Sequence, residues 1–120
     1  MLQLWRNLGA PLMDLPVAWC DARTLTGAEA RPFRYTGYVA GAEPFDALAI
    51  VAPADASRHH WYAYPALRDD EVVVFRTYDT ELVAAGATHF TPHSAFRDPA
   101  VELGQPARFS IELRVMCFSL

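Results

Sequence analysis

The residue types best able to do chemistry lie in the segment HFTPHSAFRDP, residues 89–99, where two histidines stand four residues apart. On a helix this spacing would place both imidazoles on one face, as in zinc sites of the HExxH type. Pro92 disfavours a helix, and in an extended strand His89 and His93 would start ~13 Å apart at ~3.3 Å per residue. Metal–imidazole bonds are only about 2 Å long, so one ion could not reach both. The spacing leaves His93 as the candidate ligand and His89 as a flanking polar residue.

An alternating strand candidate begins 15 residues after His93 and runs from Arg108 to Phe118. Successive side chains of a strand point to opposite sides, so the apolar residues share one face and the polar residues share the other. The polar face carries Arg108, Ser110, Glu112 and Arg114. Such a face normally contacts water; the alternative is that it lines a polar cavity inside a barrel.

His93 followed by the Arg-x-Ser of this strand is a second candidate constellation. A guanidinium grips a carboxylate through two parallel hydrogen bonds, and the hydroxyl of Ser110 could donate to the same group as Arg108. This arrangement would hold a dicarboxylate beside a metal. On spacing alone, a turn histidine and a solvated strand face explain the pattern more often.

Composition limits the classes of function. With 120 residues, 52% of them apolar and 20% charged, the chain is typical of one globular domain. The net charge is -4, lysine is absent and the arginines do not cluster, which argues against nucleic-acid binding. No apolar run approaches the ~20 residues of a membrane span. Arg6 and Asn7 interrupt the apolar centre that a signal peptide would need, so we expect a cytoplasmic protein.

The two cysteines, Cys20 and Cys117, both lie in apolar stretches. Neither belongs to a CxxC or Cys/His spacing typical of metal sites. We therefore expect two buried free thiols.

Short apolar or alternating segments separated by proline and glycine predict a mainly β protein, either a sandwich or a barrel. The first is a buried strand that ends near Asp21. The last of these segments, 66–79, begins with an acidic turn. The predicted strand segments before Arg108 are 16–24, 31–40, 46–53, 59–65 and 66–79.

Four blocks of the sequence together resemble a known family. They are WRNLGAPLMDLPVAWCDARTL (5–25), HHWYAYPALRDDEVVVFRTYDT (59–80), FTPHSAFRDP (90–99) and RFSIELRVMCF (108–118). The family is that of the non-haem iron(II), 2-oxoglutarate-dependent oxygenases that include the fungal gibberellin desaturase, the aspergillic-acid-type hydroxylases and the small protein that assists cephamycin methoxylation. The resemblance implies a double-stranded β-helix (jelly-roll) core with few short helices. It also implies hydroxylation or desaturation of a small organic, secondary-metabolite-type substrate.

The same resemblance implies roles for single residues. His93 matches the C-terminal histidine of the family's 2-His-1-carboxylate iron site. Arg108 and Ser110 match the Arg-x-Ser that anchors 2-oxoglutarate, and Arg114 on the same face is the alternative arginine. No residue is assigned a catalytic role.

A further block of the family, WYxxP…YD, matches residues 61–65 and 78–79. Trp61, Tyr62 and Tyr78 are thereby expected to line the substrate pocket. Core packing is the more common role for such aromatic side chains.

The chain departs from the family in one respect: it contains no His-x-Asp or His-x-Glu pair, which the family carries upstream of the first block. We therefore expect a single domain, residues 1–120, that corresponds to the C-terminal part of an oxygenase jelly roll. One histidine alone would hold iron(II) weakly, and a partial jelly roll would leave strand edges unpaired. Three outcomes are open: an inactive remnant, a second chain that supplies the pair, or a homodimer that covers the edges. The alternative function is a non-catalytic accessory or small-molecule-binding β-domain.

Overall fold

The computed structural model describes residues 1–37 and 40–118, and their regular structure is almost entirely β. Among these residues there is one short α-helix, α1 (Thr80–Ala84), and there are three 3-10 turns. The mainly β class with few short helices is thereby confirmed. The strands are β1 (Leu2–Asn7), β2 (Val17–Cys20), β3 (Ala30–Tyr35), β4 (Phe45–Ile50), β5 (Trp61–Ala63), β6 (Val72–Arg76), β7 (His93–Ala95) and β8 (Ser110–Val115).

The strands form two three-stranded antiparallel sheets and one hairpin. The first sheet has the order β6-β1-β8, the second has the order β5-β2-β7, and β3 pairs with β4. When this hairpin is left out, successive strands change sheet at every step except from β2 to β5, which are neighbours in the second sheet. This alternation is the winding of a double-sheet jelly roll.

The hydrophobic core lies where the central strands of the two sheets face each other. Trp5 of β1 and Trp19 of β2 make an edge-to-face contact with ring centroids 5.7 Å apart. Phe75 of β6 lies 6.0 Å from Trp19 in a similar arrangement. All four residues of β2 are buried, which confirms the predicted buried strand before Asp21.

Strand β1 was not predicted, because its hydrophobic pattern is inverted. The inward-facing residues of β1 are Gln3, Trp5 and Asn7, all buried, and two of these three are polar. Leu2 is exposed on the opposite face. A search for apolar alternation therefore misses the strand that pairs with both β6 and β8.

The expectation of two buried thiols is half wrong. Cys20 is buried in β2, whereas Cys117 is exposed. Cys117 lies beyond the end of β8, whose apolar residues alternate with its polar ones. The apolar face of β8 points away from the facing sheet, and its members Ile111 and Leu113 are exposed as well.

The other predicted strands occur with shorter bounds than the sequence suggested. The segment predicted for 31–40 is a strand only to Tyr35, and its residues 38–39 lie outside the described part of the chain. Within residues 1–37 and 40–118, no helix combines the length and the apolar character needed to cross a membrane.

Candidate functional site

Strand β7 carries His93 into the space between the two sheets. His93 pairs with Trp19 in the register of β2 and β7. Just before β7, the carbonyl of Pro92 accepts a 2.8 Å hydrogen bond from the backbone N–H of Cys20, and Thr91 donates to the carbonyl of Arg76. These bonds fix the start of β7 to both sheets. The imidazole of His93 consequently lies against the ring of Phe75, with centroids 4.7 Å apart.

The two ring nitrogens of His93 have different environments. Nδ1 lies 3.1 Å from the backbone carbonyl oxygen of Thr91. A carbonyl oxygen only accepts hydrogen bonds, so Nδ1 is the donor in this contact, and in the neutral ring the lone pair is then on Nε2. A backbone carbonyl on the other nitrogen is the usual way in which proteins orient a metal-binding histidine. The side chain is exposed, so its Nε2 is accessible to a ligand.

The polar face of β8 points inward, toward the facing sheet. Gln3 of β1 lies between Arg114 of β8 and Phe75 of β6 in the strand register. Only 1% of Gln3 is exposed. Its Nε2 donates to the carboxylate of Glu112 at 2.5 Å, and its Oε1 accepts from the Arg114 guanidinium at 3.4 Å. Glu112 and Arg114 remain exposed on this inward side, and Arg114 lines a cavity, so the cavity-lining alternative holds for Arg114.

An open cavity of about 790 Å³ brings several of the predicted residues together. His93, His89, Arg114, Trp61 and Tyr78 all line it, and the hairpin of β3 and β4 forms another part of its wall. The ring of His89 packs edge-on against Tyr78 at 5.4 Å. The volume is in the range of sites for small organic molecules.

Three predicted residues lie elsewhere. Arg108 precedes β8, its backbone N–H donates to the carboxylate of Asp14 at 3.2 Å, and it does not line the cavity. Ser110 pairs with Asn7, four residues and so ~13 Å along the strand from Arg114. Tyr62 is 58% exposed and lines a separate cavity beside Trp19.

The aspartates that flank the candidate blocks have structural partners. Asp21 forms a 2.6 Å ion pair with Arg23, and the hydrogen bonds from Arg23 lower the pKa of the Asp21 carboxyl to about 2. Asp79 caps α1, and the N–H groups of Leu82 and Glu81 lower its pKa. Both carboxyls are thus ionised at neutral pH and engaged locally.

The residues present fit an iron site only in part. Among residues 1–37 and 40–118, no group of three or more His, Cys, Asp or Glu side chains is placed to hold a metal ion. His93, with its accessible Nε2, is suitable as one ligand. The described residues therefore do not make a complete metal site.

Sequence reasoning overlooked part of the cavity wall. Gln3 was not considered, because its role depends on partners more than 100 residues away in the chain. Phe33, Tyr35 and Phe45 of the hairpin also line the cavity. The alternation of Phe33 and Tyr35 in the predicted strand was the signal that could have indicated them.

Comparison with known proteins shows which class of protein this fold belongs to. The structure superimposes on the iron and alpha-ketoglutarate-dependent endoperoxidase NvfI with a TM-score of 0.66 and 29% identity, over 92% of this chain and 38% of that one. In sequence, the chain is 30% identical over 115 residues to the Fe(II)/2-oxoglutarate-dependent dioxygenase nvfI of Aspergillus novofumigatus. It is 27% identical, over an alignment of 137 residues, to the hydroxylase/desaturase poxK of Penicillium oxalicum. The fold is thus a jelly roll of the type found in iron(II), 2-oxoglutarate-dependent oxygenases, and the predicted resemblance is confirmed.

A family model covers nearly the whole chain. Residues 1–118 match the model YDMC, described as an oxidoreductase/YMDC permease-like domain, and the chain belongs to this family. The alignments cover 96% and 99% of this chain but only 39% and 42% of nvfI and poxK. The chain therefore spans about two fifths of the length of these curated relatives.

Proposed function

We propose that the chain is part of an iron(II), 2-oxoglutarate-dependent oxygenase that hydroxylates or desaturates a small organic molecule, with His93 as one iron ligand. The main support is the geometry of His93: the Thr91 carbonyl orients the ring, and Nε2 is left available beside a cavity that Arg114 shares. Similarity to dioxygenases and hydroxylase/desaturases supports the same reaction class. When bound, iron(II) and 2-oxoglutarate supply the oxidation of a substrate C–H bond by dioxygen.

For the cosubstrate carboxylate we favour Arg114 over Arg108. Arg114 lines the cavity with His93, and the buried Gln3 helps to fix its guanidinium. Arg108 lies six residues earlier, outside β8 and outside the cavity lining. The anchoring role that the resemblance implies for Arg108 and Ser110 stays a prediction. A decisive test compares the 2-oxoglutarate affinity of Arg114→Gln with that of Arg108→Gln; the larger loss identifies the anchor.

We further propose that the remaining iron ligands come from strands that pair with β7 and β8. Both strands pair on one side only among the described residues, and they carry His93 and Arg114. A further segment or a second chain, including a second copy in a homodimer, could add a strand at either edge. Strands at these edges would lie beside the candidate site. The cytoplasmic location also stays a prediction.

The test is calorimetric titration of iron(II) with 2-oxoglutarate under nitrogen, into the chain alone and into the chain mixed with the polypeptide encoded beside it. We expect binding in at least one of the two conditions. His93→Ala should then lower iron affinity at least about tenfold, whereas the matched variant His89→Ala should not. Absence of binding in both conditions would refute the enzymatic proposal.

A non-catalytic ligand-binding or accessory domain is the second candidate. The observation that favours it is the lack of a three-ligand cluster among the described residues. It predicts that His93→Ala leaves small-molecule binding unchanged. Under the oxygenase proposal the same variant loses the metal.

A further inference from the structure

The hairpin of β3 and β4 stands apart from both three-stranded sheets and forms one wall of the His93 cavity. In its register Tyr35 pairs with Phe45, and Phe33 pairs with Ala47. Directly paired residues and residues two apart share one face of a sheet, so these four side chains lie on the same face. That face therefore carries three aromatic rings and a small alanine.

The three rings form a continuous aromatic ladder, which we define as Phe33, Tyr35 and Phe45. The centroids of Phe33 and Tyr35 lie 4.5 Å apart, and Tyr35 stacks on Phe45 at 5.0 Å with an interplanar angle of 27°. Each residue nevertheless remains between 37% and 47% exposed. The rings are thus ordered against one another, yet they present considerable apolar surface to the cavity.

Charge near the ladder is compensated. On the opposite face of the hairpin, Arg34 and Asp46 pair across the strands and form a 3.2 Å ion pair that is exposed to water. Asp46 is also a lining residue of the cavity, but its carboxylate pairs with Arg34 on the face opposite the ladder. The arginine that lines the cavity, Arg114, belongs to β8 on a different part of the wall. The ladder side consequently suits an uncharged group.

The base of the hairpin is anchored rather than loose. The backbone N–H of Val51 donates to the carbonyl of Glu29 at 2.9 Å. The Glu29 carboxylate in turn lies 3.3 Å from Nε2 of the buried His59 and 3.2 Å from the guanidinium of Arg58. These contacts hold both ends of the hairpin against the 58–59 segment. A wall fixed in this way can select among ligands by shape.

We propose that the aromatic ladder determines substrate specificity by stacking against a flat, uncharged ring system. The part of the molecule to be oxidised would extend from the ladder toward His93. Offset stacking on ordered rings adds affinity beyond simple burial of apolar area, and it requires a planar partner. This inference deepens the proposed function and depends on it for the assignment of the ligand as substrate.

The experiment uses the fluorescence of N-phenyl-1-naphthylamine, a neutral probe that brightens in apolar sites, without iron or 2-oxoglutarate. Two competitors with the same carbon skeleton, planar 2-naphthol and puckered 2-decalol, displace the probe. The measured quantity is the ratio of their inhibition constants. Comparing this ratio between variants cancels the difference in hydrophobicity of the two alcohols.

We expect Phe33→Leu and Phe45→Leu, which keep apolar bulk but remove a ring, each to shift the ratio against 2-naphthol by about two- to tenfold. Phe118→Leu removes an exposed ring outside the cavity and is the matched control. Circular dichroism shows whether each variant keeps its sheets.

The ladder proposal is overturned if the Phe33 and Phe45 variants give the same ratio as Phe118→Leu, or if no competitor displaces the probe. Its failure is distinguishable from failure of the proposed function, because the probe assay contains neither metal nor cosubstrate. Expected ratios without iron binding would keep the ladder as a ligand surface and reject the oxygenase. Iron binding with unchanged ratios would support the oxygenase proposal and reject the ladder as a ligand surface.

Discussion

Strands β2 and β7 are hydrogen-bonded neighbours in one sheet, yet their burial is opposite. All four residues of β2 are buried, whereas all three residues of β7 are exposed. The central strand β2 is covered by Trp5 and Phe75 of the facing sheet, and the edge strand β7 opens onto the cavity. The comparison shows that one half of the sheet provides packing while the adjacent half keeps His93 accessible.

The largest expected effect is a loss of stability when the packing around strand β2 is disrupted. Trp19 makes edge-to-face contacts with Trp5, Tyr64 and Phe75 at 5.7–6.0 Å. Trp19→Ala should lower the free energy of unfolding by about 3–5 kcal/mol, because it removes the ring at the centre of this cluster. Urea denaturation followed by circular dichroism measures the change. The control is Tyr62→Ala, opposite Trp19 on β5 but largely exposed, which should cost less than about 1 kcal/mol. Similar losses for both variants would contradict the comparison.

A second effect tests the buried polar end of β1. Asn7 is fully buried, and its Nδ2 donates to the carbonyl oxygens of Leu67, Ala10 and Gly9. Asn7→Ala would leave the buried carbonyl of Leu67 without this donor and should cost about 1–3 kcal/mol in urea denaturation.

Ser110→Ala is the control for this variant, because Ser110 pairs with Asn7 on β8. It should change stability by about 0.5 kcal/mol or less. An equal loss at the two positions would indicate that position in the sheet, rather than the hydrogen bonds of Asn7, sets the cost.

The sequence predicted those parts of the fold in which local pattern and burial agree. The continuous apolar run of β2 is buried as expected, and the alternation of β8 is real. Which face of β8 points inward could not be read locally, since the inward polar groups depend on Gln3, over 100 residues away in the chain. The buried Gln3 also inverts the hydrophobic pattern of β1, and this is why the strand was not predicted. For the candidate site, a local motif sufficed to single out His93, but only the tertiary structure brings Arg114 and the aromatic ladder to the same cavity.

A third prediction concerns the exposed edge strand β7. His93 is exposed and packs against the ring of Phe75. His93→Ala should therefore change the free energy of unfolding by less than about 1 kcal/mol, although the oxygenase proposal requires it to lower iron affinity at least about tenfold. Urea denaturation without metal provides the measurement. A loss comparable to that of Trp19→Ala would make His93 a packing residue and remove the contrast between β2 and β7.

The smallest effect is a pH dependence at the end of β2, where the buried strand is followed by the ion pair of the partly buried Asp21 with the exposed Arg23. Hydrogen bonds from Arg23 lower the pKa of the Asp21 carboxyl from 3.8 to about 2. A carboxyl with a lowered folded-state pKa stabilises the folded protein above its unfolded pKa, and this contribution is lost as the pH falls from about 4 to about 2. The difference in urea midpoint between wild type and Asp21→Asn should thus be constant above pH 5 and shrink in that window. Arg23→Gln should reproduce part of the behaviour, because it removes the side-chain hydrogen bonds to Asp21 but keeps the bond from the backbone N–H of residue 23. If the wild-type and Asp21→Asn curves stay parallel down to pH 2, the pair contributes nothing to the end of β2, and burial of the strand alone fixes where it stops.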